Sequence, residues 1–341
     1  MMPNNNRITW IDSMKAFSIL AVVLNHTHIV PEIKTIAYIV CLPAFFFAAG
    51  LFANTCLSPR EFFLNKTLRL LVPFVIWGGL SWLAWLFIGR KYGADAVEPC
   101  AWWEPLWGML CGKTKMMMHN PPLWFLCCMI GLEWVYYALS RIRRKAIRWS
   151  IICLLAGIGC CVSLMGRNWF WELSAALIVL PFYAFAAENS AAIRERVVQT
   201  GSLFRWVVFG VSLIGVYIGY RYNGDIALAE TRIGNPLLYY LVFVSVVGLW
   251  MSVSLLLDKY HGIVRALQFI GQNTLLVLCA HVPVFGMIKG MALLCHAPLA
   301  FFDTTLGCLC LWVCTFVILL PMVPLLNRFC PWALGKRIVN S

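Results

Sequence analysis

The sequence predicts an all-α polytopic membrane protein of about ten transmembrane helices, on three observations. Hydrophobic residues make up 62% of the 341 and charged residues only 12%, about half the charged share of a soluble domain. Mean hydropathy is +0.80. Apolar runs separated by polar or basic breaks fall near residues 8–28, 36–55, 70–89, 121–140, 149–166, 172–188, 205–222, 236–257, 267–288 and 304–327, lengths suited to the ~30 Å hydrocarbon core of a bilayer.

The first run follows a short polar N-terminus and ends in Asn25-His26-Thr27-His28 rather than a small-residue cleavage site. It is therefore expected to stay attached as the first span. Pro283 and Gly286 place a break or tilt in the ninth run. The longest connection, residues 90–120, carries Trp102, Trp103 and Trp107 and ends in His119-Asn120-Pro121-Pro122. It reads either as an interfacial aromatic belt or as a cover over the outer mouth of a cavity, with His119 at that mouth.

The net charge of +13 fits the same class, because basic residues collect in cytoplasmic loops. With the N-terminus inside, the even-numbered connections hold Arg60, Lys66 and Arg69; Arg141, Arg143, Arg144, Lys145 and Arg148; Arg194, Arg196 and Arg205; and Lys259 and Arg265. Arg7 and the tail residues Arg328, Lys336 and Arg337 add to them, so most of the 27 basic residues lie on the side of both termini. No basic domain with interleaved aromatics stands outside the apolar runs, which excludes nucleic-acid binding. The fifteen cysteines lie mostly inside apolar runs and read as small polarizable packing residues, not as metal ligands.

The first span carries the strongest chemical signal. The eleven-residue step from Lys15 to His26 is close to three helical turns, with ~16 Å of rise, so the two share roughly one face. Asp12 stands one turn before Lys15, placed for an i,i+3 pair. Lipid does not solvate such a stripe, so it should face protein or a water-filled cavity. Neutral His26 is suited to accept a proton from a hydroxyl. His28 points about 200° away and reads as an interface residue. Glu133 lies inside the fourth span, where a carboxylate needs a base or a cavity.

Trp10-Ile11-Asp12-Ser13-Met14-Lys15 followed by His26 resembles the signature of the acyltransferase-3 family of membrane O-acyltransferases, a basic residue, ten residues and a histidine. Further elements match in order. Pro43 to Gly50 resembles the aromatic, Gly-ended second span, with Ala49 where Ser is usual. Lys66 to Pro73 resembles the basic pair before a Pro in the third. Pro122-Leu123-Trp124-Phe125-Leu126 resembles the fourth, and Ile270-Gly271-Gln272-Asn273-Thr274 through His281 a late Gly-x-Asn-Ser element with its histidine.

The resemblance runs from residue 8 to about 285, and residues 1–341 then form one integral membrane acyltransferase domain without a hydrolase-like extension. The chain looks most like the sugar O-acetylase branch, such as fucose 4-O-acetylase-like proteins. That likeness implies acetyl transfer from acetyl-CoA to a hydroxyl of a surface-glycan sugar, or its lipid-linked precursor, in a bacterial inner membrane. No permanently bound cofactor is implied. His26 becomes the expected general base, with Lys15 on the acetyl-CoA side held by Asp12. Lys66 and Arg69 are expected at the CoA phosphates, and Trp124, Glu133, Asn273 and His281 around the substrate. A transporter or flippase for a lipid-linked sugar is the rival reading, against which stands the lack of an inverted repeat.

Overall fold

A computed structural model describes residues 8–91, 100–224 and 226–336. It is all-helical; among these residues the only strand-like pairing is one isolated bridge between Ala227 and Arg232. Among the described residues, nine helical spans are long and apolar enough to cross a membrane: Pro31–Leu51, Pro59–Lys91, Pro121–Ser140, Lys145–Leu164, Phe170–Glu188, Ser202–Tyr222, Pro236–Lys259, Thr274–Leu294 and Thr305–Phe329. They are the second to tenth spans. The first is the shorter helix Thr9–Asn25, which ends at the C-cap His26. Arg7 and Arg337, and residues 92–99 of the long connection, lie outside the described residues.

The first helix is the hub. It packs against the second, eighth, ninth and tenth spans and is buried almost all round, from Trp10 through Met14 and Ile19 to Val23. A helix enclosed in this way has no lipid face, which is why it tolerates Asp12 and Lys15. The fourth and sixth spans are also inner, with 72% and 61% of their apolar windows buried, whereas the seventh has 22% and lies at the periphery.

Three helix boundaries depart from the apolar runs. The second span begins at Pro31 and joins two helices across Leu42. The third begins at Pro59 under a capping box of Ser58 and Glu61, so Lys66 and Arg69 lie inside a 33-residue helix rather than at its start. A π turn over Phe63–Thr67 shifts the register there, a feature common where a helix re-aims a side chain. The expected ninth run divides differently. Residues His261–Gln272 form a separate amphipathic helix, and the break falls at Asn273.

Pro283 does not break the ninth span, for a local reason. Proline lacks the N–H that would bond the carbonyl four residues back, here that of Cys279. Asn120 Nδ2 donates to this carbonyl at 2.8 Å and so replaces the missing bond.

The basic connections meet at one end of the bundle. Arg141 donates to the Leu57 carbonyl at 2.8 Å, and the Arg194 guanidinium lies over the Phe52 ring. Arg205 donates to the Leu255 carbonyl at 3.1 Å, and Arg69 Nε to the Gly335 carbonyl at 3.0 Å. At the other end the long connection folds over the bundle. There Thr114 bonds the Ala229 carbonyl, Trp171 bonds the Leu110 carbonyl and Lys115 pairs with Glu230 at 3.3 Å. Trp102, Trp103 and Trp107 are about half exposed, as an interfacial belt requires.

Candidate functional site

Two clusters stand one above the other along the first helix. At the basic end, Lys15 Nζ and Asp12 Oδ1 are 2.7 Å apart, the expected i,i+3 pair. Gln272 Nε2 donates to the other Asp12 oxygen at 3.3 Å. The amphipathic helix can supply that amide because its neighbour is Gly271: a Cβ there would fall 1.8 Å from the Asp12 carbonyl oxygen.

Lys15 opens into a cavity of about 330 Å³, which Lys66, Arg69 and Glu133 also line. The remaining walls are apolar, with Phe45 and Phe125 edge-to-face and Leu278 of the ninth span. The π turn brings Lys66 Nζ to 3.3 Å from Glu133 Oε1, so the carboxylate has both the base and the cavity its position demands. Arg69 differs from the two lysines. Among the described residues it forms no salt bridge, and its Nε is held by the C-terminal turn at Gly335, another residue that lines the cavity.

The second cluster lies one helical turn beyond the cavity wall, since His281 follows Leu278 by three residues. The rings of His26 and His281 meet edge-to-face, with centroids 4.9 Å apart. His26 Nδ1 is 2.8 Å from the Val22 carbonyl oxygen and His281 Nδ1 2.8 Å from that of Val277. A carbonyl only accepts, so each Nδ1 carries the hydrogen and each neutral ring keeps its lone pair on Nε2. Both imidazoles are held in the tautomer a base needs at Nε2.

Not every expected residue joins these clusters. Trp124 is 4% exposed and packs edge-to-face on Phe125; it is Phe125 that lines the cavity. Asn273 donates to the Phe269 carbonyl at 2.7 Å, a bond that closes the amphipathic helix rather than a tie to another span. Its neighbours Thr274 and Leu275 reach the cavity instead. His28 is exposed, as its direction on the helix required.

His119 and Asn120 lie beneath the long connection and are buried. The structure adds what sequence reasoning missed: Asn120 bridges Ser81 Oγ at 2.9 Å and Cys279 O at 2.8 Å. Burial pulls the His119 imidazole down to about 4. Its unfolded value is near 6.5, so the unfolded chain takes up the proton first and acid favours unfolding. Stability in detergent is expected to fall by an amount on the order of 2–3 kcal/mol as pH drops from 6.5 toward 4, read as a lower thermal midpoint. His119→Leu should flatten that slope.

The acyltransferase domain family matches residues 8–324. This chain belongs to the acyltransferase-3 family. The match takes in both clusters and all ten spans but for the end of the last, so the cavity and the histidine pair belong to a membrane acyltransferase. No curated protein and no solved structure matches the chain. In this acyltransferase the separation of cations from imidazoles along one helix is the feature that any reaction scheme must use.

Proposed function

We propose that the protein is an O-acetyltransferase that moves an acetyl group from acetyl-CoA to a sugar hydroxyl. The observation that carries the reading is the His26–His281 pair, both rings held in the Nε2-base tautomer, one turn from a cavity with a basic mouth. Acetyl-CoA enters from the basic end, which faces the cytoplasm together with both termini. Lys15, Lys66 and Arg69 meet its phosphates, and Arg69 is best suited because its planar fork matches phosphate oxygens and it has no salt bridge to leave. The apolar walls receive the thioester arm.

At the inner end the acceptor hydroxyl oxygen attacks the thioester carbonyl carbon while His26 Nε2 takes its proton. Collapse of the tetrahedral intermediate breaks the carbon–sulfur bond, releases CoA and leaves the O-acetyl ester. The imidazolium returns its proton to the departing thiolate. The acceptor is a surface-glycan sugar or its lipid-linked precursor, and the membrane is the bacterial inner membrane.

Mass spectrometry of the surface glycans of cells with and without this protein tests the proposal. An added acetyl group per modified sugar is expected, and identical glycans would contradict it. Arg69→Ala is expected to raise the KM for acetyl-CoA roughly tenfold or more, with little change in kcat, as read by thiol release. An unchanged KM would reduce Arg69 to a topology charge and a clamp on Gly335.

A further inference from the structure

Beyond the tenth span the chain returns to the cavity at its basic end. Cys330 caps that span, and Pro331–Leu334 forms a single 3₁₀ turn that ends at Gly335. The family match ends at residue 324, so the turn lies outside it. The turn closes on itself: Gly335 N–H donates to the Trp332 carbonyl at 3.1 Å and Lys336 N–H to the Pro331 carbonyl at 3.0 Å. Ala333 and Leu334 are buried. Two side chains of the third span hold the turn in place. Trp77 Nε1 donates to the Ala333 carbonyl at 2.9 Å, and Arg69 Nε donates to the Gly335 carbonyl at 3.0 Å.

Position 335 requires glycine on two counts. Its φ of +63° lies in the left-handed region, which is unfavourable for a residue with a Cβ. A Cβ would also fall inside contact distance of the Arg69 carbonyl oxygen and 3.0 Å from Leu275 Cδ2. Leu275 is itself a wall of the cavity. The absent side chain lets the turn lie close enough to the third span for its carbonyl to meet the Arg69 guanidinium.

The consequence for Arg69 follows from the shape of its side chain. A guanidinium offers its N–H donors in one fixed plane. With Nε–H spent on Gly335, the side-on edge is closed and the two terminal nitrogens remain as an end-on fork. The anchor also removes rotamer freedom that a long side chain would otherwise lose on binding. Lys15 and Lys66 are held by carboxylates. Arg69 is held by a neutral carbonyl, which orients the group without compensating its charge.

We infer that the turn from Pro331 to Lys336 is part of the donor site, with Gly335 a positioning residue that holds the Arg69 fork end-on toward a phosphate entering the cavity. The inference rests on the acyl-transfer reading for the identity of that donor, acetyl-CoA. It adds that affinity for the phosphate end is set by a segment attached after the last span, through Gly335 and, behind it, Trp77.

The test is equilibrium binding of acetyl-CoA, labelled in the acetyl group, to immobilised, detergent-solubilised full-length protein with no acceptor present. Gly335→Ala displaces the carbonyl itself. Trp77→Phe removes the tie to Ala333, adds no atom to the cavity, and decides the question if Gly335→Ala does not assemble. Each is expected to raise the Kd roughly two- to tenfold, the worth of one hydrogen bond. Neither should raise it further in an Arg69→Ala background, because the effect runs through that side chain. S-acetylpantetheine, which has the thioester arm without the phosphates, should compete with the same inhibition constant on wild type and Trp77→Phe. Unchanged affinity in either variant, an equal further loss on the Arg69→Ala background, or weakened competition by S-acetylpantetheine would overturn the inference and leave the turn as structural support. Wild-type protein that binds no acetyl-CoA would sink the acyl-transfer reading and the inference with it. Binding that follows the expected pattern without acetyl transfer would sink the acyl-transfer reading alone.

Discussion

His26→Ala is expected to lower kcat for acetyl transfer by roughly 10²–10⁴, the usual contribution of a positioned general base. The KM for acetyl-CoA should change little, because the cations proposed to meet the donor begin with Lys15, about three turns away along the helix. The substitution removes a ring that bonds its own helix and meets the edge of His281 without bridging two spans by a hydrogen bond, so the bundle should still assemble. Rates measured on purified protein of matched thermal midpoint separate chemistry from folding. A variant with full activity would remove His26 from the mechanism. His281→Ala should cost less, since its Nε2 holds rather than deprotonates. It should appear mainly as a raised KM for the acceptor.

Gly271→Ala is expected to be the most damaging single-methyl change in the protein. The added carbon would fall 1.8 Å from the Asp12 carbonyl oxygen and 2.6 Å from its carbon. Both are backbone atoms of the central helix, so no side-chain rotation relieves the clash. Forced overpacking of this kind costs about 1–3 kcal/mol or more. The amphipathic helix must move off, and Gln272 then loses Asp12, which loosens the partner of Lys15. The expected result is a lower thermal midpoint and a weaker response to acetyl-CoA. Gly262→Ala in the same helix is the control: a Cβ there meets nothing within 4 Å, and its midpoint should hold or rise slightly. Equal behaviour of the two variants would contradict the packing argument.

Much of the fold was legible in the sequence because lipid imposes its own pattern. Ten apolar runs bounded by basic breaks became one central helix and nine longer spans. The boundaries that slipped did so where polar groups decide. The third span starts about three turns early because Ser58 and Glu61 cap it, and hydropathy does not register a cap. The ninth span breaks at Asn273 rather than bending at Pro283, because Asn120, far away in sequence, bonds the carbonyl that proline frees.

The candidate site was legible along one helix and not between helices. Three-turn spacing put Asp12, Lys15 and His26 on a common face. Nothing in a periodicity says that Lys66 and Glu133 meet, or that His281 comes to rest against His26. Trp124 and Phe125 show the limit most simply. Neighbours on a helix point about 100° apart, so a Leu-Trp-Phe run does not reveal which ring faces the cavity. Asn120 had no signature at all, since its role depends on a carbonyl freed in another span.

The most direct test of acetyl transfer at the histidine pair is a product balance on purified protein in vesicles, with labelled acetyl-CoA and methyl hexopyranosides. Proteins that carry His26 should release one CoA thiol for each O-acetyl ester formed, and the His26→Ala variant should form neither product above background. Uptake or exchange of the glycoside across the vesicle membrane without thiol release would contradict the enzyme reading and indicate a carrier.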